Sequence, residues 1–224
     1  MKTVTVVIPA YNEQERIADT IHAVKERGFA AEIIVINDGS QDSTAERARA
    51  EGVTVLDLNP NQGKGEALNR SVPYINGEIV VFLDADLGAC AGQGELLVKP
   101  VMEGQADLTI ARFPRARKKG GFGLVKGLAA RAIRREGMEV TEPLSGQRAM
   151  TKKVLLDVLP LSSGFGLEVG MSIRALRRGY RIVEVDTTMT HAETGRDLQG
   201  FLHRGRQFLD VLKVIIKEAK GVGT

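Results

Sequence analysis

Residues 78–87 read Glu-Ile-Val-Val-Phe-Leu-Asp-Ala-Asp-Leu, an apolar run that stops on two carboxylates, Asp84 and Asp86. Near-continuous apolar character without alternation marks a strand buried on both faces, as in a parallel sheet. Upstream, Thr3 to Ile8 (TVTVVI), Glu32 to Ile36 (EIIVI) and Val53 to Leu58 (VTVLDL) are β-branched runs of the same kind. Between them Ile17, Ile21 and Val24 recur at helical spacing before Gly28. A short helix is predicted over 42–51, and a glycine-rich stretch, NQGKGEAL, opens another near Gly63. Asn12, three residues before Glu15, is expected to cap the first helix in capping-box fashion. Strands separated by helices at these intervals predict an α/β fold with a mostly parallel central sheet flanked by helices.

The second half is less regular. Asp107 to Phe113 and Tyr180 to Val185 are predicted strands, and PLSGQRAM reads as a loop entering a strand. GFGLEVGMSIRALRRG reads as a loop entering a helix, and Leu198 to Lys220 as a long amphipathic helix. The basic stretch RFPRARKKGGFG suits a surface loop. No internal repeat or linker divides the chain, so one domain is expected.

Composition narrows the function classes. Of 224 residues, 43% are hydrophobic and 26% charged, enough for a large core. Aromatics are 4% and tryptophan is absent, which argues against a stacking surface for single-stranded nucleic acid; no nucleic-acid partner is expected. A single cysteine, Cys90, excludes an internal disulfide and a thiolate metal cage, and fits a reducing cytoplasm. The net charge of +3 fits a protein that handles phosphates and equally an ordinary solvated surface. The start, MKTVTVVIPAYNE, does not read as a signal peptide. No run approaches the roughly 18 apolar residues needed to span a bilayer, so any membrane contact is expected to be peripheral, at the inner face.

Open parallel sheets bind ligands at the carboxyl ends of their strands. There the chain places PAYNE, NDGSQD and DADL. Alternation puts Asp84 and Asp86 on one side, where like charges call for a cation, and hard oxygens suit magnesium or manganese. The plain alternative is a pair of solvated acids at a strand end. Gly63 and Lys64 are suited to a phosphate, although the P-loop spacing is missing and a simple glycine turn fits as well. Asp38 is either a hydrogen-bond acceptor for a base or ribose, or part of an Asp-Gly turn. Glu13 is either a ligand contact or a first-turn helix acid.

IPAYNE, VINDGSQDST, NQGKGEALN and FLDADL stand in an order and spacing that resembles the family 2 glycosyltransferases over residues 3–115. SGQRAM and GFGLEVGMSIRALRRGYRIVEV extend the likeness more loosely. The resemblance implies a single GT-A domain over residues 1–224. Residues 1–115 would bind nucleotide sugar, 116–197 the acceptor, and 198–224 would form a C-terminal amphipathic helix. It implies that Pro9, Ala10 and Tyr11 line the base pocket, Glu13 meets the ribose, and Asp38 reads the base, usually uracil. Gly63 and Lys64 would contact the diphosphate, Asp84 the ribose and metal, and Asp86 the metal, Mg2+ or Mn2+. His191, after a late strand, would be a third metal ligand. Glu168 is the candidate catalytic base, and Gly146, Gln147 and Arg148 are the candidate acceptor contacts.

The implied donor is a nucleotide sugar, with UDP-glucose favoured. GGFGLVKGLAARAIR and the late histidine are similar to the glucosyl-3-phosphoglycerate synthases, which retain configuration. The arginine expected after those glycines is absent; Phe122 and Gly123 stand there. A polyprenyl phosphate and a small phosphorylated acceptor therefore rank level. The basic run Arg112 to Lys119 would meet either. The C-terminal helix carries Phe201, Leu202, Phe208, Leu209, Leu212, Ile215 and Ile216 beside Arg204, Arg206, Lys213, Lys217 and Lys220. It can pack on the sheet, on a second subunit as in a homodimer, or on a membrane surface. A nucleotidyltransferase would need a glycine-rich start with arginine and a later Pro-Lys. A non-catalytic nucleotide-binding module would not need both Asp84 and Asp86. A dehydrogenase would need glycines that PAYNE lacks.

Overall fold

The computed structural model describes residues 2–114, 123–189 and 198–221, with the helical backbone alone over 198–206. Its strands are β1 (Val4–Ala10), β2 (Glu32–Asp38), β3 (Thr54–Leu58), β4 (Ile79–Phe82), β5 (Leu108–Arg112), β6 (Arg148–Thr151) and β7 (Ile182–Asp186). They form one seven-stranded sheet in the order β3-β2-β1-β4-β6-β5-β7. Helices are α1 (Ile17–Arg27), α2 (Thr44–Ala50), α3 (Lys64–Ser71), α4 (Gly94–Met102), α5 (Gly123–Arg134), α6 (Lys152–Asp157), α7 (Leu167–Arg177) and α8 (Leu198–Ala219). The α/β architecture expected from the sequence is therefore present. No described helix is long and apolar enough to cross a membrane.

Alternation along the central strands splits the core in two. Val4, Val6 and Ile8 of β1, Ile33 and Val35 of β2, and Ile79 and Val81 of β4 face one layer with Ile17, Ile21 and Val24 of α1. Val7, Ile34, Ile36, Val80 and Phe82 face the other, with α3, α5, α6 and α7. Burial on both faces is why these strands read as unbroken apolar runs.

The sheet has one reversal with a functional consequence. β6 runs antiparallel to β4, pairing Phe82 with Arg148, and antiparallel to β5, pairing Ile110 with Arg148. The amino end of β6 thus lies at the edge where β1, β2 and β4 end. That direction places Gly146 and Gln147 beside Asp84, although they follow it by some sixty positions.

Asn12 corrects an expectation. The first helix begins at Ile17, with Arg16 at the cap position and no side-chain cap. Asn12 instead takes a left-handed conformation, φ 55°, which asparagine tolerates better than most residues. Its N–H donates to Ser40 Oγ at 3.0 Å and its Oδ1 accepts from the Gln41 N–H at 2.9 Å. The residue ties two loops at the carboxyl edge together rather than starting a helix.

α8 closes the far side of the second layer. Gly164 and Gly166 form the turn before α7, and a Cβ on either would collide with Asp210 or Val214 of α8. The buried Arg174–Glu218 pair, 2.8 Å apart, joins α7 to α8.

Candidate functional site

The three loops at the carboxyl edge are cross-tied before any ligand arrives. Asp38, at the end of β2, is buried, and its carboxylate accepts from the Gln62 N–H at 2.8 Å and the Gly63 N–H at 2.7 Å. Asn61 Nδ2 donates to the Asp38 carbonyl at 2.8 Å. Gly39 is needed here, since its φ is +74° and a Cβ would stand 2.8 Å from the Asn61 nitrogen. Asp38 therefore shapes the NQGKG loop, with lone pairs remaining on each oxygen for a further donor. Gly63, φ +86°, turns that chain into α3 and delivers Lys64 at its first position.

Lys64 connects both halves of the crevice. Its Nζ lies 2.5 Å from Asp84 Oδ1 and 3.6 Å from Glu168 Oε1, in the first turn of α7. Burial pulls the ammonium pKa down, but the charges of Asp84 and Glu168 overcome it and hold it above the usual lysine value. Gln147 Nε2 donates to Asp84 Oδ2 at 2.7 Å. A Cβ on Gly146 would collide with Lys64 Nζ and approach Asp84 Oδ2 to 3.1 Å. Glycine at 146 is what lets the lysine reach the aspartate.

Asp86 is held from the other side. Thr20 of α1 is fully buried; its hydroxyl donates to the Ala85 carbonyl and accepts from the Gly88 N–H, each at 2.8 Å. Arg16 Nη1 donates to the Asp86 carbonyl at 3.3 Å. Glu13 is close enough to feel this cluster. Burial first, then the negative charges of Asp86, Asp42 and Asp84, raise its carboxyl pKa, against a lowering by Arg16.

This donor set fits a hard divalent cation. Asp84 and Asp86 offer carboxylate oxygens, and the repulsion registered at Glu13 is what such a cation would relieve. Lys64 already neutralises Asp84, so the cation would rest chiefly on Asp86 and on the ligand's phosphates. Among the described residues no group of three or more His, Cys, Asp or Glu could hold a metal by itself, and Mg2+ and Mn2+ commonly take one or two carboxylates plus phosphates.

Other expected residues fall variously. Pro9 and Ala10 end β1, and Tyr11 follows, 47% exposed at the crevice rim. Arg148 does not reach the crevice. Its side chain is 1% exposed and donates to the Ser145 carbonyl at 2.9 Å, Ser172 Oγ at 2.9 Å and the Pro143 carbonyl at 3.2 Å. Desolvation lowers its pKa to about 10 despite Glu168 and Glu184. A direct acceptor contact is therefore corrected to a brace for the loop that carries Gly146 and Gln147. His191 lies outside the described residues, as do 115–119 of the basic run, Phe122, and the side chains of Phe201, Leu202, Arg204 and Arg206. Arg112, which opens that run, forms a two-pronged pair with Asp186 at 2.5 and 2.6 Å.

Thr20 and Asn37 were not singled out from the sequence. Thr20 carried a signal, being a polar residue on the apolar stripe of Ile17, Ile21 and Val24. Asn37 Nδ2 donates to Asp57 Oδ1 at 2.8 Å and its Oδ1 accepts from the Ser40 N–H at 3.2 Å; strand alternation gives no hint of either bond.

The family described as "Glycosyl transferase family 2" matches residues 5–157, which contain the crevice residues except Glu168. The chain belongs to glycosyl transferase family 2. Among its relatives, glycosyltransferase AglJ of Haloferax volcanii is 33% identical over 200 residues, covering 87% of this chain and 65% of that one. Glucosyl-3-phosphoglycerate synthase of Mycobacterium tuberculosis is 34% identical over 203 residues, covering 79% and 62%. This family 2 chain thus spans a little under two thirds of the length of both. The solved structure of the M. tuberculosis synthase with Mn2+, uridine-diphosphate-glucose and phosphoglyceric acid has a TM-score of 0.80 at 30% identity, covering 96% of this chain and 80% of that chain. Its complex with Mg2+ and uridine-diphosphate also has a TM-score of 0.80, at 31% identity and 96% and 79% coverage. The likeness includes the GT-A arrangement of the sheet.

Proposed function

We propose that this protein transfers a sugar, with glucose favoured, from a uridine diphosphate donor to a phosphate-bearing acceptor, assisted by Mg2+ or Mn2+. The observation that carries the reading is the convergence of Lys64, Asp84, Asp86, Gln147 and Glu168 at one edge of the sheet, with Lys64 between Asp84 and Glu168. The solved relative with uridine-diphosphate-glucose and Mn2+ supports the donor class.

In this proposal Pro9, Ala10 and Tyr11 flank the base, and Asp38 offers its remaining lone pairs to a base N–H. Glu13 and Asp84 face the ribose. Asp86 would hold the cation, with His191 as its further ligand. The bound cation would supply Lewis-acid stabilisation of the departing diphosphate. Lys64 and the backbone around Gly63 steady the same charge.

The bond between the anomeric carbon and the β-phosphate oxygen breaks, and its electron pair leaves with UDP. The acceptor oxygen forms the new bond to carbon. If that oxygen is a hydroxyl, its proton goes to Glu168; if it is a phosphate oxygen, no base is required. Gly146 and Gln147 border the acceptor side, held in place by Arg148. The chain would work at the cytoplasmic face of the membrane or in the cytoplasm.

The test is product analysis with UDP-glucose, Mn2+ and either phosphoglyceric acid or a polyprenyl phosphate. The reading requires free UDP that depends on both metal and acceptor. Pyrophosphate release, or no turnover with any nucleotide sugar, would overturn it. Glu168→Gln tests the base: with a hydroxyl acceptor a loss of about 100-fold or more is expected, and full activity would remove Glu168 from that role.

A further inference from the structure

α5 and α8 are neighbours on one side of the sheet, and each leaves an outward face that the core does not use. On α8, Val211 and Val214 point inward, while Phe208, Leu209 and Ile216 are 38%, 53% and 45% exposed. Leu209, Lys213, Ile216 and Lys220 recur at helical spacing on the outer side, and Lys217 adjoins them. On α5, Leu124 is 82% exposed, and Gly127, Arg131, Arg134 and Arg135 line an open groove. Nearby acids have partners of their own: Glu139 pairs with Arg134, Glu136 with Arg177, and Glu218 with Arg174 in the interior.

We propose that this α5–α8 face docks on the surface of an anionic lipid bilayer. The apolar side chains would enter the headgroup boundary, and Arg131, Arg135, Lys213, Lys217 and Lys220 would meet the lipid phosphates. A second copy of this chain fits less well. A two-fold antiparallel pairing of α8 about Ile216 would set Lys213 of one copy against Lys220 of the other, whereas an anionic surface complements them. Through its inner face α8 packs on the Gly164–Gly166 turn that leads into Glu168, which leaves the outer face for the bilayer. The inference is independent of the proposed glycosyl transfer, because its test reads binding and not turnover.

The experiment is co-sedimentation of the full chain with vesicles of phosphatidylcholine alone and of phosphatidylcholine with phosphatidylglycerol. Binding is expected only to the anionic vesicles, falling as salt rises. Lys213→Glu with Lys217→Glu, and separately Leu209→Ser with Ile216→Ser, should each weaken it at least about tenfold. Lys213 and Lys217 are exposed, so that variant should melt as wild type does, and the serine variant, at half-buried positions, should melt lower but still cooperatively. Absence of wild-type binding, or binding indifferent to both double variants, overturns the proposal. A concentration-dependent dimer in sedimentation velocity that Leu209→Ser with Ile216→Ser abolishes would assign the face to a second copy instead.

Discussion

The two sides of the crevice, proposed for donor and acceptor, are held by different chemical groups. On the donor side, β1, β2 and β4 run parallel, and their loops are fastened mainly by side chains bonding to backbone: Asp38 to Gln62 and Gly63, Thr20 to Ala85 and Gly88, Asn12 to Gln41. On the acceptor side the strands change direction, and the fasteners are buried guanidiniums that donate to backbone carbonyls and to side chains. Arg148 braces the 143–145 loop, while Arg174 joins Glu218 to the Val158 carbonyl and Ser162 Oγ. One side is fixed chiefly through its backbone N–H groups, the other through its carbonyls, and Lys64 spans the two.

This contrast can be broken from either side. The largest stability effect is expected for Arg174→Met, which leaves the Glu218 carboxylate buried with one cationic neighbour fewer. A loss of about 3 kcal/mol is expected in denaturant unfolding, with UDP affinity of the folded fraction unchanged. Should UDP affinity fall in parallel, the two sides are not separable as described.

Asp38→Ala probes the opposite side. It removes two charge-assisted bonds from the NQGKG loop, with an expected cost of about 2 kcal/mol, and UDP binding should weaken beyond what the stability loss explains. Equal affinity in calorimetry would reduce Asp38 to a turn residue.

A smaller effect concerns Glu13, whose raised pKa carries a definite sign. The folded chain retains a proton that the unfolded chain has released, so stability falls as pH rises from the ordinary carboxylate value through the raised one. Glu13→Gln removes that dependence. The variant should melt higher than wild type above this window and equally below it, and Mn2+ should narrow the gap. An equal melting difference at all pH values would show that the carboxylate is not under electrostatic pressure.

Much of the donor side was legible because its information is local. An unbroken apolar run ending in Asp84 and Asp86 states both the strand and the crevice residues, and NDGSQD and NQGKG announce turns by their glycines. The direction of β6 was not legible, since a strand's residues record burial and not the sense of its neighbours. Arg148 misled for a related reason: a charged residue reads as exposed unless its partners are known, and these lie on a preceding loop and on α7. Asn12 reads as a cap because its partners, Ser40 and Gln41, are nearly thirty positions away. The Arg174–Glu218 pair joins distant helices with no periodic trace.

Asp86 is the residue proposed to make nucleotide binding metal-dependent at this crevice. Calorimetric titration of UDP into wild type and Asp86→Asn, each with and without Mn2+, tests it directly. Mn2+ should tighten UDP binding to wild type by at least about tenfold, and Asp86→Asn, still folded, should lose this gain. Mn2+-dependent UDP binding that survives in Asp86→Asn would contradict it.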